Sequence, residues 1–181
     1  MVRIFAAILL PPEVEVHLDE HIDGVRTARP ELRWVAPARW HVTLEFMGEC
    51  GPHEVARQTE RWTRRARRSA PMRLRLTGAG AFPRTWSARV LWTGLGGDVD
   101  AWRRLAAYGQ PPHLTLARTR DRSDLTGLVD ELASYDGPEW EVTEIALVES
   151  RLPGKSGSNG KAAGRGPRYL PLEHLPLGRP S

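Results

Sequence analysis

One cysteine, Cys50, occurs in the whole chain of 181 residues. That excludes an internal disulfide and any metal site built from cysteine, and it makes a reducing cytoplasm the expected compartment. Long hydrophobic runs are absent too. The apolar start, Arg3-Ile4-Phe5-Ala6-Ala7-Ile8-Leu9-Leu10, is too short to cross a bilayer. It leads into Pro11-Pro12 rather than a small-residue cleavage site, so it reads as a buried strand and not as a signal peptide. Lysine is nearly missing: among 26 Lys and Arg residues only Lys155 and Lys161 are lysines. The net charge of +4 is therefore carried by arginine, whose planar fork suits phosphate. A basic balance permits a polyanionic partner, but genomic base composition produces the same bias. No Gly-rich phosphate loop follows a strand, and no zinc signature, nucleophile elbow or carboxylate-rich magnesium site is present.

What is present is an irregular interleaving of strands and helices. Residues 2–9 predict a strand, and Val14, Leu18, Ile22 and Val25 recur at helical spacing to about residue 28. Leu32 to Val35 and His41 to Phe46 read as strands. A helix follows Gly51-Pro52 and ends in an arginine cluster, Arg61, Arg64, Arg65, Arg67 and Arg68. Cations at a helix C-terminus complement its dipole, so the cluster reads first as a solvated face and second as an RNA-binding patch. Strands are expected over 72–76, 88–93, 113–118, 140–148 and 169–172, with helices around Trp102 and over 125–132. Ser123 or Asp124 is the expected N-cap of the last helix. Residues 153–167 read as a flexible Gly/Ser-rich loop. The pattern predicts an α+β fold with largely antiparallel sheets.

One element occurs twice: His41-Val42-Thr43-Leu44 and His113-Leu114-Thr115-Leu116. In a strand, residues i and i+2 share a face, so each copy presents an imidazole beside a hydroxyl. A single His-x-Thr is unremarkable. Two copies matching at four positions suggest two similar lobes that bring the pairs together across a cleft. Two histidines can divide acid and base work at one centre near neutral pH, and threonine hydroxyls can bond phosphoryl oxygens. A cyclic phosphodiester needs only an activated water and a proton donor.

On these residues the chain resembles the two-histidine phosphoesterase superfamily, and within it the RNA 2′,3′-cyclic phosphodiesterases, also called 2′-5′ RNA ligases. The resemblance extends to the opening strand with Pro11-Pro12, the Leu32-Arg33-Trp34-Val35 segment, Gly80-Ala81-Phe82-Pro83, Pro112 to Arg118, Glu149-Ser150-Arg151-Leu152 and Tyr169. It implies one domain over 1–181, with two pseudo-symmetric α+β lobes around a central cleft and helices outside. It implies His41 as the acid that protonates the leaving O3′ and His113 as the base that activates water. The product would carry a 2′-phosphate. Thr43, Thr115 and Arg118 would hold phosphate oxygens, with no metal or organic cofactor. Two departures stand out: the segment from Trp92 to Pro112 is short, and Gly/Ser-rich residues separate Arg151 from Tyr169.

Strict alternation puts Arg118 on the face opposite His113 and Thr115, so reaching the phosphate needs a bulge or twist. Trp34 is a candidate to stack on a nucleobase. Phe46, Trp92 and Trp102 are expected in the core, and His17, His21, His53 and His174 carry no assigned role. The expected partner is RNA with a cyclic phosphate end, or a small cyclic nucleotide, acted on by a monomer away from membranes. Competing readings are a phosphodiesterase for an ADP-ribose cyclic phosphate, the reverse 2′-5′ joining reaction, and an RNA-binding module without catalysis.

Overall fold

A computed structural model describes residues 1–106, 109, 111–151 and 166–178. All but the last two positions of the expected 153–167 loop lie outside the described residues. The fold is α+β, with four α-helices and one continuous antiparallel sheet among the described residues. The strands are β1 (Val2–Leu9), β2 (Arg33–Trp34), β3 (His41–Cys50), β4 (Met72–Phe82), β5 (Ala88–Gly97), β6 (His113–Ser123), β7 (Trp140–Val142), β8 (Glu144–Arg151) and β9 (Arg168–Pro176). The helices are α1 (Pro12–Ala28), α2 (Pro52–Arg67), α3 (Val99–Leu105) and α4 (Thr126–Leu132). Among the described residues no helix is long and apolar enough to cross a membrane.

The sheet runs β7-β4-β5-β6-β3-β1-β8-β9, with β2 paired to β6. The run expected as one strand over 140–148 divides at Thr143: β7 pairs with β4 at one end of the sheet, and β8 pairs with β1 near the other. With Thr143 alone between them, β7 and β8 lie two Cα steps apart, about 7 Å, so the sheet must curl to bring these strands close. The result is a half-barrel with a convex and a concave side.

The convex side carries the main core. Ala6 and Ile8 of β1 pack there with Val14, Leu18 and Ile22 of α1, and Trp62 of α2 and Trp102 of α3 are fully enclosed. The apolar stripe of α1 is the one its periodicity predicts. Phe5 and Ala7 point the other way and form a small second cluster with Ala146 and Val148 on the concave side. The sequence predicts two lobes, and they exist as two halves of one sheet. Among the described residues β3 and β6 share one ladder pair, Val42↔Leu114. The N-cap of α4 is Leu125 rather than Ser123 or Asp124; Asp124, one residue before it, accepts from the Thr126 backbone N–H at 2.9 Å. That bond holds its carboxyl below the usual carboxylate range.

Candidate active site

Val42 and Leu114 are the second residues of their motifs, and both are fully buried. Counting one residue outward along these antiparallel strands puts His41 alongside Thr115 and Thr43 alongside His113. Their side chains then share the concave face as a two-by-two array. Burial of Val42, Leu44, Leu114 and Leu116 beneath it, worth roughly 1.5–3 kcal/mol each, fixes the register.

The two motifs agree beyond their four letters. In β3, Ala7 faces Thr43 and Ala6 faces Glu45, so Leu44 is an extra residue. In β6, Trp92 faces Thr115 and Leu91 faces Ala117, so Leu116 is the extra residue. Each motif therefore ends in a β-bulge at its leucine, and each bulge reverses the parity of the residues beyond it. This returns Arg118 to the face of His113 and Thr115, where its positive charge acts on both histidines and on Tyr169. The parity obstacle to Arg118 is thus removed by the bulge. The same shift corrects the expectation for Phe46. It is not in the core but 58% exposed, on the His41 side, with its ring centroid 5.8 Å from that of Phe5. Glu45 instead turns to the convex side, accepting from Arg61 and from the Trp62 indole N–H.

The histidines are held alike. Nδ1 of His41 lies 2.8 Å from the Arg39 carbonyl, and Nδ1 of His113 lies 2.8 Å from the Pro111 carbonyl. A carbonyl only accepts, so each Nδ1 carries the proton and each neutral ring keeps its Nε2 lone pair for chemistry. Burial is the main cause that drives the His41 pKa down to about 4, helped by His113 and Arg118, while the Arg39 carbonyl opposes it. His113 is lowered for the same leading reason, with Arg118 assisting. Both rings are neutral at pH 7 without a ligand.

Aromatic rings brace each imidazole. His41 meets Phe5 at 4.7 Å and Tyr169 edge-on at 5.1 Å. His113 meets Phe82 edge-on at 4.9 Å and Trp92 at 6.2 Å. Trp92, expected in the core, is half-buried here, and its indole lies against Gly80, where a Cβ would come within 2.2 Å of the ring. Trp34 takes a different place from the one expected. It packs against the convex-side core opposite Ala117, and its Nε1 donates to the Arg29 carbonyl at 3.0 Å. No described ring contact joins it to either histidine. Sequence reasoning missed Phe5 and Phe82 as supports. Phe5 had a signal: it alternates out of phase with Ile4, Ala6 and Ile8. No group of three or more His, Cys, Asp or Glu suited to a metal occurs among the described residues.

Comparison with known proteins places the chain in a family. Residues 8–92 match the model of the LigT-like phosphoesterases. The chain is 33% identical, over 97% of its length and 90% of the relative's, to the RNA 2′,3′-cyclic phosphodiesterase of Thermus thermophilus. The crystal structure of TT0787 from the same organism superposes with a TM-score of 0.74 at 29% identity, covering 98% of both chains. Escherichia coli LigT complexed with phosphate superposes with a TM-score of 0.65 at 30% identity, again over 98% of both chains. A likeness that spans nearly every strand and helix, on a site with paired histidines at its centre, leaves one assignment: the chain belongs to the LigT-like phosphoesterase family.

Proposed function

We propose that the protein hydrolyses RNA ends carrying a 2′,3′-cyclic phosphate to the 2′-phosphate, with His41 and His113 as acid and base and without a metal ion. The observation that carries this reading is the pair Val42↔Leu114, which supports two His-x-Thr elements side by side on one sheet face with both Nε2 atoms available. The name of the Thermus thermophilus relative and the phosphate complex of Escherichia coli LigT support the substrate class.

The cyclic phosphate sits between the imidazoles. Thr43, Thr115 and Arg118 hold its non-bridging oxygens. His113 Nε2 takes a proton from water as the water oxygen bonds to phosphorus. The P–O3′ bond breaks, and O3′ takes the proton carried by His41 Nε2. The product has a free 3′-hydroxyl, and the two rings exchange protons with solvent to reset. His41 is neutral in the free site, because its pKa is pushed down to about 4. The negative charge of the bound phosphate opposes that shift, so the acid form of His41 belongs to the complex. Phe46, on the rim beside Phe5, is placed to stack on the adjoining base, the role first expected of Trp34.

The test is hydrolysis of an RNA oligomer with a 2′,3′-cyclic end, with the product isomer read by phosphorus NMR. The expected product is the 2′-phosphate, formed equally in EDTA and lost in His41→Ala and in His113→Ala. A 3′-phosphate would reverse the orientation of the pair, and substantial turnover by either variant would remove that histidine from the mechanism.

A further inference from the structure

On the convex side, away from the histidines, α2 and α3 enclose an open groove of about 670 Å³. Five arginines line it: Arg61, Arg64, Arg65 and Arg68 from α2 and its end, and Arg104 from α3. Their charges are unequally compensated. Arg61 is paired with Glu45, and Arg64 only loosely with Glu60 at 3.8 Å. Arg65, Arg68 and Arg104 form no ion pair with a carboxylate among the described residues. Arg65 is fixed in place, donating to the carbonyls of Leu105 at 2.6 Å and of Arg104 and Ala106 at 3.2 Å each, while its guanidinium lies 5.5 Å from the Trp62 ring centroid. A helix C-terminus accounts for one or two such cations through its dipole. Arg104 likewise lies in the last turn of α3, so the dipoles favour a cation at each helix end but do not account for the convergence of both ends on one groove. Arginines gathered this closely repel one another unless an anion lies among them.

We infer that this groove binds the phosphate backbone of single-stranded RNA, at a site separate from the cleft; the choice of RNA rests on the proposed function. The arginines from 61 to 68 follow one face of α2 for two turns, about 10 Å, long enough to face more than one phosphate. Arg104 closes the opposite wall, and Met72 and Ala101 give a partly apolar lining that suits ribose. Guanidinium forks match phosphate oxygens two at a time. The abbreviated α3 contributes to this geometry, since it ends where Arg65 can reach its last carbonyls.

The experiment is fluorescence anisotropy with a labelled single-stranded RNA that ends in an ordinary 3′-hydroxyl, titrated at several salt concentrations. The Arg68 and Arg104 side chains are exposed and make no hydrogen bond or ion pair among the described residues, and their backbone contacts survive substitution, so Arg68→Ser/Arg104→Ser leaves the fold intact. It is expected to weaken binding at least tenfold and to lower the slope of log affinity against log salt by about 1.4, or ~0.7 per lost phosphate contact. Arg67→Ser/Arg103→Ser removes equal charge outside the groove and is expected to bind as the wild type does. Hydrolysis of 2′,3′-cyclic CMP should be the same in all three proteins; failure of that hydrolysis in the wild type overturns the proposed function and leaves the binding result readable. Equal affinities and slopes for the two double variants would overturn the groove assignment. So would displacement of RNA by tripolyphosphate at equal phosphate concentration, which would make the ligand a small polyphosphate.

Discussion

Phe46 and Arg118 occupy equivalent positions in the two halves of the sheet. Each lies two residues beyond its bulged leucine, Phe46 opposite Phe5 of β1 and Arg118 opposite Val90 of β5. The backbone symmetry therefore ends in a chemical asymmetry. One half offers an aromatic ring, on β3, and the other a cation, on β6, whose charge acts on both histidines. A symmetric pair of histidines has no inherent direction. An aromatic face on one side and a guanidinium on the other would orient a nucleotide so that its base and its phosphate reach different halves.

Arg118→Ala is expected to lower kcat/KM on a cyclic-phosphate substrate by about 10- to 150-fold, the range for losing a hydrogen bond to a charged group. The side chain is exposed, so stability should hold. Arg118 also depresses both histidines, so its removal should raise the pKa of His41 and of His113. Proton NMR titration of the imidazole C–H signals reads that shift. An unchanged titration would remove Arg118 from the electrostatics of the site.

Phe46→Ala should act through binding. Stacking of a base on an aromatic ring contributes about 1–3 kcal/mol, so KM for an RNA substrate is expected to rise with little change in kcat. A substrate whose base is absent, such as a cyclic ribose phosphate, should not distinguish the variant from the wild type.

The histidine pairs were legible in the sequence because the two-residue period of a strand fixes which side chains share a face. His41, Thr43, His113 and Thr115 all precede the bulges and obey that period. Phe46 and Arg118 come after the bulges, and nothing in Leu44-Glu45 or Leu116-Ala117 announces an extra residue. Parity therefore failed at those positions. The division of 140–148 was invisible for a related reason. Thr143 is an ordinary strand residue, and its position as the joint between opposite ends of the sheet depends on partners far away in sequence. Trp34 and Trp92 exchanged expectations because burial against a convex core or a concave cleft cannot be told from local sequence.

Gly80→Ala tests the support behind His113. A Cβ at this position would lie 2.2 Å from the Trp92 indole, which must then move. Displacing a packed ring costs about 1–3 kcal/mol of stability, measurable by urea unfolding. Because Trp92 also contacts His113, kcat should fall more than KM rises. Gly24→Ala is the natural control. Nothing lies within 4 Å of a Cβ there, and in the exposed face of α1 the change should stabilise by up to about 1 kcal/mol.

The last prediction concerns acid. The His41 pKa is about 4 in the folded protein against 6.5 ordinarily, and burial is the leading cause. Between those values the unfolded chain binds a proton that the folded site rejects. Stability must therefore rise with pH through this window and be lost as pH falls from about 6.5 toward 4, with a slope of at most about 1.4 kcal/mol per pH unit from this one group. His113 is lowered as well and adds to the slope with the same sign. Restricting the comparison to pH 7 down to pH 5 keeps it above the titration of carboxylates held low by arginine, such as Glu149 beside Arg151. Thermal unfolding across that range should show a falling Tm for the wild type and a flatter profile for His41→Gln. Inorganic phosphate should counteract the fall in the wild type, because an anion between the rings stabilises their protonated forms, and it should protect more at pH 5 than at pH 7. A wild-type profile as flat as that of His41→Gln would mean that His41 is solvated enough to keep its ordinary pKa, and the acid form would then need no bound phosphate to exist.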